Sequence, residues 1–158
     1  MTDDRIIAAL AARGLELPRQ CLPRGQFLPW TRSGRTLYLA GQICEWNGEV
    51  LYRGSIGAAV SLDEGIKAAE LCALNLIFHL RAACGGNLGR VARCLRVGVF
   101  VNAPPGFAHS PKIANGASEL FIVLWGEAGR HARTAVGVSA LPMDASVEVD
   151  AIFEAVED

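Results

Sequence analysis

Apolar positions along the 158-residue chain change period several times, and each change marks an element. Asp3 to Ala12 sets Ile6, Ile7 and Leu10 on one side, with two acids in the first turn and Gly14 beyond. That pattern predicts a short helix, an appendage to the core. Leu15 to Gly25 has no period, contains Pro18 and Pro23, and reads as a connector. Strand-like runs at Gln26–Thr31 and Arg35–Ala40 flank Ser33-Gly34, a hairpin signal. Gly41-Gln42 closes the second run. Ile43 to Tyr52 then contains Asn47-Gly48, whose ready access to positive φ favours a type I′ turn in a second hairpin or extended arm.

Ser61 and Glu64 have the spacing of a capping box. Behind them Ile66, Ala69, Ala73, Ile77 and Leu80 recur every three or four residues, so a long helix is predicted at Leu62–Ala83, stopped by Gly85-Gly86. From Arg90 to Val101 the period falls to two, through Val91, Leu95, Val97, Val99 and Val101, as in the middle strand of a sheet. Asn102 to Pro111 is a proline-rich loop, and Lys112–Trp125 resumes a helical pattern. Gly116 inside it, about 1 kcal/mol worse than alanine there, marks a tight packing spot or a frayed first turn. Thr134–Ala140 and Ser146–Ala155 read as two paired strands joined at Leu141-Pro142. In the last strand Val147, Val149, Ala151 and Phe153 face the helices, and Glu148, Asp150, Ile152 and Glu154 face away. Strands grouped around two helices predict an α+β fold with the sheet covered on one face.

Composition changes this picture in two ways. Apolar residues make up 51% of the chain and charged ones 20%, which is oily for a lone monomer and points to oligomerisation. Fifteen Lys and Arg against 16 Asp and Glu leave a net charge of -1, which supplies no general attraction for nucleic acid or anionic lipid. The longest apolar run, Leu120–Trp125, is far short of the roughly 20 residues that span a bilayer. Acids near the N-terminus do not suit a signal peptide, so a soluble, cytoplasmic protein is expected. The five cysteines form no CxxC pair and are expected to be free, mostly buried thiols, Cys44 included. His79, His109 and His131 have no metal-ligand spacing, so no metal is expected.

The candidate chemistry lies in Gly129–Glu154. Arg133 stands at the mouth of one strand and Glu148 inside the next. A permanent cation near a strand carboxylate suits a small-anion site with its own base.

The segment ARTAVGVSALPMDASVEVDAI resembles the C-terminal signature of the RidA (YjgF) family, in which an arginine, a spaced Leu-Pro and a Val-Glu pair recur in this order. Phe27 ahead of Ala40-Gly41-Gln42, the valine-rich Leu95–Val101 strand, and Asn115 with Glu119 and Phe121 agree with it. The resemblance covers about residues 25 to 155, and the chain looks like a longer, less characterised subgroup with an N-terminal helical extension. It implies one domain over residues 1–158, with 1–24 as extension and 25–158 as a chorismate-mutase-like α+β core.

The resemblance further implies a homotrimer with sites between neighbouring subunits, no cofactor or metal, and hydrolysis of reactive 2-imino acids to 2-keto acids and ammonia. Arg133 would grip the substrate carboxylate, Glu148 would position or activate water, and Phe27, Gly41 and Asn115 would line the cleft. Ala135 stands where many characterised deaminases have cysteine, and Phe27 where some have tyrosine. The Asn102–Ala114 loop is longer than in short members. These departures motivate an alternative: a non-catalytic module of the same fold that binds a small carboxylate or docks a protein partner. Ribonuclease activity, attached to some family members, finds no support in the near-neutral charge.

Overall fold

The computed structural model describes residues 2–156. Along it run α1 (Asp3–Ala12), β1 (Trp30–Ser33), β2 (Thr36–Ile43), β3 (Glu45–Trp46), β4 (Glu49–Val50), α2 (Leu62–Ala83), β5 (Val91–Asn102), α3 (Ser110–Trp125), β6 (Ala132–Val138) and β7 (Val147–Ala155). Five strands form one mixed sheet in the order β1-β2-β7-β5-β6, and β3 and β4 form a separate small arm. Only β5 and β6 are parallel; every other pairing in the large sheet is antiparallel.

This order corrects two expectations. The middle strand is β7, not β5, and β6 and β7 do not pair, because β5 lies between them. The reason is the crossover: β5, α3 and β6 form a parallel unit whose helix returns the chain to the same end of the sheet. Residues 139–146 then pass the end of β5 and insert β7 between β5 and β2. The Leu141-Pro142 link crosses a strand instead of turning a hairpin.

Several local signals act as their chemistry requires. The Ser61 hydroxyl accepts from the Glu64 amide at 3.2 Å, and the Glu64 carboxylate accepts from the Ser61 amide at 2.8 Å, so α2 starts where the capping box places it. Asn47 (φ 50°) and Gly48 (φ 97°) make the positive-φ turn between β3 and β4. The first hairpin turns at Gly34-Arg35, and Gln26–Pro29 precede β1 as irregular chain, so Phe27 lies in a loop. Pro111 sits in the first turn of α3, where a missing N–H costs nothing, so the helix begins at Ser110 and the proline-rich loop is confined to 103–109.

Alternation in β7 is complete: Val147, Val149, Ala151 and Phe153 are buried, and Glu148, Asp150, Ile152 and Glu154 are half-exposed. The buried face lies under α2 and α3, where the Phe153 and Phe121 rings meet edge to face at 5.3 Å. Gly116 is well inside α3, and a side chain there would run into the Ile66 carbonyl of α2, so the glycine marks close helix packing and not a frayed turn. The N-terminal helix is also more than an appendage. Ile6 and Leu10 join the core, and Asp3 bonds Arg81 at 2.9 Å and the Leu88 amide at 2.8 Å. Helices α2 and α3 cover the sheet as expected, and α1 packs against α3. Among the described residues no helix is long and apolar enough to cross a membrane, and all five cysteines are free and buried.

Candidate functional site

Arg133 lies on β6, the edge strand after α3, level with Val97 of β5 and, one strand further, Ala151 of β7. Side chains in register across a sheet share a face, so Arg133 points to the side covered by the helices. There α3 receives it. Its Nη1 donates to Asn115 Oδ1 at 2.9 Å and to Ser118 Oγ at 3.0 Å, and its Nη2 donates to the Pro111 carbonyl at 3.2 Å. Asn115 and Ser118 can both reach it because residues three apart share a helix face. Three of the five guanidinium N–H groups are thus used within the chain. Among the described residues the Nε hydrogen and one on Nη2 have no partner, and the Nε–Nη2 edge of a guanidinium is one that can hold both oxygens of a carboxylate. Arg133 borders an open pocket of about 290 Å³ that Glu119, Arg130 and His131 also line.

His131, two residues before Arg133, is on the same side of the chain. Its Nδ1 is 2.7 Å from the Gly129 carbonyl and its Nε2 is 2.9 Å from Ser118 Oγ. Burial lowers its pKa first; the Gly129 bond opposes that, and the charge of Arg133 lowers it further.

Glu148 pairs in register with Phe100, on the face the helices leave open. It lines a second pocket, of about 160 Å³, with Gly41 and with Leu22, Pro23, Arg24 and Phe27 of the connector. At Gly41 the pairing of β2 with β7 slips: Leu39 opposes Ala151 and Gln42 opposes Val149, leaving Ala40 and Gly41 opposite Asp150. This bulge brings the β2 backbone against the Glu148 carboxylate, which occupies the space a side chain at Gly41 would need. Among the described residues the Glu148 carboxylate has neither a hydrogen-bond nor an ion-pair partner. Burial raises its pKa above the usual carboxylate value, and the neighbouring charge of Asp150 adds to the rise. Arg24 is already committed, holding the buried Glu45 at 2.7 Å.

The five residues singled out in the sequence therefore fall into two groups. Phe27, Gly41 and Glu148 meet in one pocket, and Asn115 and Arg133 in another. The two groups occupy opposite faces of the sheet, which corrects the expectation of an arginine and a glutamate close together on paired strands. Within one chain the sheet itself separates them.

Sequence reasoning missed Ser118, His131 and Arg24. The first two carry a usable signal: Ser118 is one helical turn beyond Asn115, and His131 shares the strand parity of Arg133. Cys44 also differs from an ordinary inert thiol, because a hydrogen bond with Cys72 lowers its pKa to about 6 against the opposing effect of burial. It is nevertheless fully buried and lines neither pocket.

Comparison with known proteins adds an independent line. The family model described as "YjgF/chorismate mutase-like, putative endoribonuclease" matches residues 7–154. A curated relative, Protein TCP17 of Trypanosoma cruzi, is 40% identical over 151 residues, covering 95% of this chain and 94% of its own. A protein of unknown function from Agrobacterium tumefaciens shares the fold with a TM-score of 0.90 and 38% identity, over 97% of this chain and 93% of its own. A putative endoribonuclease from Shewanella oneidensis gives a TM-score of 0.89 and 34% identity, over 94% of this chain and 98% of its own.

Proposed function

Since the chain belongs to the RidA (YjgF) family and has its chorismate-mutase-like α+β fold, we propose that it hydrolyses 2-imino acids to 2-keto acids and ammonia, at sites formed between neighbouring subunits of a homotrimer. The observation that carries this reading is the state of the two half-sites. One presents a fixed guanidinium with two N–H groups to spare, and the other an unpartnered carboxylate of raised pKa. Arg133 holds the substrate carboxylate and so fixes the position of the adjacent imine carbon. Glu148 of the neighbouring subunit takes a proton from water as the oxygen adds to that carbon. It then returns that proton to nitrogen, and as the C–N bond breaks and ammonia leaves, the carbinolamine hydroxyl gives its proton to the freed carboxylate and its oxygen becomes the keto C=O. A protonated imine is already electrophilic, so general-base help of about 10²- to 10⁴-fold suffices. Neither cofactor nor metal takes part. Phe27 and Gly41 shape the pocket beside the water.

The family description and the Shewanella relative carry the word endoribonuclease, but a net charge of -1 offers little general attraction for a phosphate backbone. A second reading, binding of small carboxylates without turnover, is favoured by Ala135, which has no polar group to offer beside Arg133. The test is to generate 2-iminopropanoate or 2-iminobutanoate enzymatically and follow keto acid release. Wild type is expected to accelerate release, and Arg133→Ala and Glu148→Ala to return it to the buffer rate. Thermal stabilisation by keto acids that is lost in Arg133→Ala, without any turnover, would establish the second reading instead.

A further inference from the structure

The contacts around Ser118 fix more than a position. His131 Nδ1 lies 2.7 Å from the Gly129 carbonyl, which can only accept, so the proton of a neutral ring is on Nδ1. Nε2 is then an acceptor, and its partner at 2.9 Å, Ser118 Oγ, must donate to it. With its hydrogen committed to His131, the Ser118 oxygen offers a lone pair to Arg133 Nη1 at 3.0 Å. Every donor in this chain points the same way, from Arg133 to Ser118 to His131 to Gly129, and such alignment strengthens each member. Burial and the nearby Arg133 charge favour the neutral ring this order requires, with Arg130 and Glu119 the other charged groups lining the pocket.

We propose that Ser118 and His131 are positioning residues that set the plane of the Arg133 guanidinium, so that its remaining N–H pair faces the substrate carboxylate. The proposal rests on Arg133 as carboxylate anchor. His131 touches no reacting atom; it keeps the Ser118 hydroxyl from turning its hydrogen toward the cation.

The ligand for the test is 2-ketobutyrate, which cannot be turned over, titrated calorimetrically into the assembled protein at pH 7.5. Arg133→Ala is expected to abolish binding. Ser118→Ala and His131→Phe are each expected to weaken it roughly ten-fold, the size of one hydrogen bond to a charged group. Phenylalanine preserves the ring beside Phe121, and His131→Gln, whose carbonyl can accept from Ser118, is expected to restore most of the affinity. Unchanged affinity in both Ser118→Ala and His131→Phe, with binding still lost in Arg133→Ala, would overturn the relay and leave the anchor standing. Binding unaffected by Arg133→Ala, or absent in wild type, would overturn both. A readout without ligand stands beside these: ¹⁵N shifts of the His131 ring, assigned by its loss in His131→Gln, are expected to show Nδ1 protonated and Nε2 bare. The opposite tautomer would contradict the proposal.

Discussion

Glu148, the base of the proposed reaction, carries a cost in stability. Its pKa is raised chiefly by burial, so the folded chain binds its proton more tightly than the unfolded chain does. Stability from this residue is full below the ordinary glutamate value, about 4.3, and declines as pH rises through the raised folded value. Glu148→Gln mimics the protonated form. At pH 7.5 it is expected to raise the thermal midpoint by roughly a few degrees while removing imine hydrolysis, and the stabilisation should vanish near pH 4. The acid limb of kcat/KM in wild type should lie above the usual carboxylate range for the same reason. A midpoint that falls in Glu148→Gln at pH 7.5 would show that the carboxylate is held by favourable contacts. At this scale the C-terminal segment of the sequence was informative, since arginine and glutamate carry their chemistry in their identity. Ser118 and His131 carried only a signal of spacing, one helical turn from Asn115 and two residues from Arg133, and their roles arise only when α3 packs beside β6.

The elements differ in how much of their placement is local. The limits of α2 were legible because a capping box and a glycine pair mark its ends in the chain itself. The start of α3 was misplaced by two residues because Pro111 reads as a breaker, although the first turn of a helix accepts it. That β7 lies at the centre of the sheet was not legible, since strand order depends on pairings between residues far apart in sequence. The burial of α1 was likewise hidden, because its apolar stripe is short and its partners lie far along the chain. Leu10→Ala is expected to cost about 2–5 kcal/mol of stability by urea unfolding, as for a core leucine. A loss below about 0.5 kcal/mol would return α1 to the status of an appendage. Gly116→Ala should also destabilise, by about 1–3 kcal/mol despite the better helix propensity of alanine, because the added methyl meets the Ile66 carbonyl. A more stable Gly116→Ala protein would contradict the close α2–α3 packing.

For the whole molecule the decisive fact is the separation of Arg133 and Glu148 by the sheet. β6 is an edge strand on which Val136 is 41% exposed, and Tyr38 of β2 is 46% exposed on the face that carries Glu148. Apolar side chains on an edge and on an open face suit surfaces that neighbouring copies cover. In the proposed trimer the Arg133 half-site of one subunit meets the Glu148 half-site of the next, so the oily composition and the split site have one explanation. The most direct test is to co-express Arg133→Ala and Glu148→Gln chains with different tags, purify the protein that carries both, and assay imine hydrolysis. A mixed trimer should contain about one site in three with both native residues, and activity should return to about a third of wild type although each parent variant is inactive. Mixed oligomers as inactive as their parents would contradict a site shared between subunits.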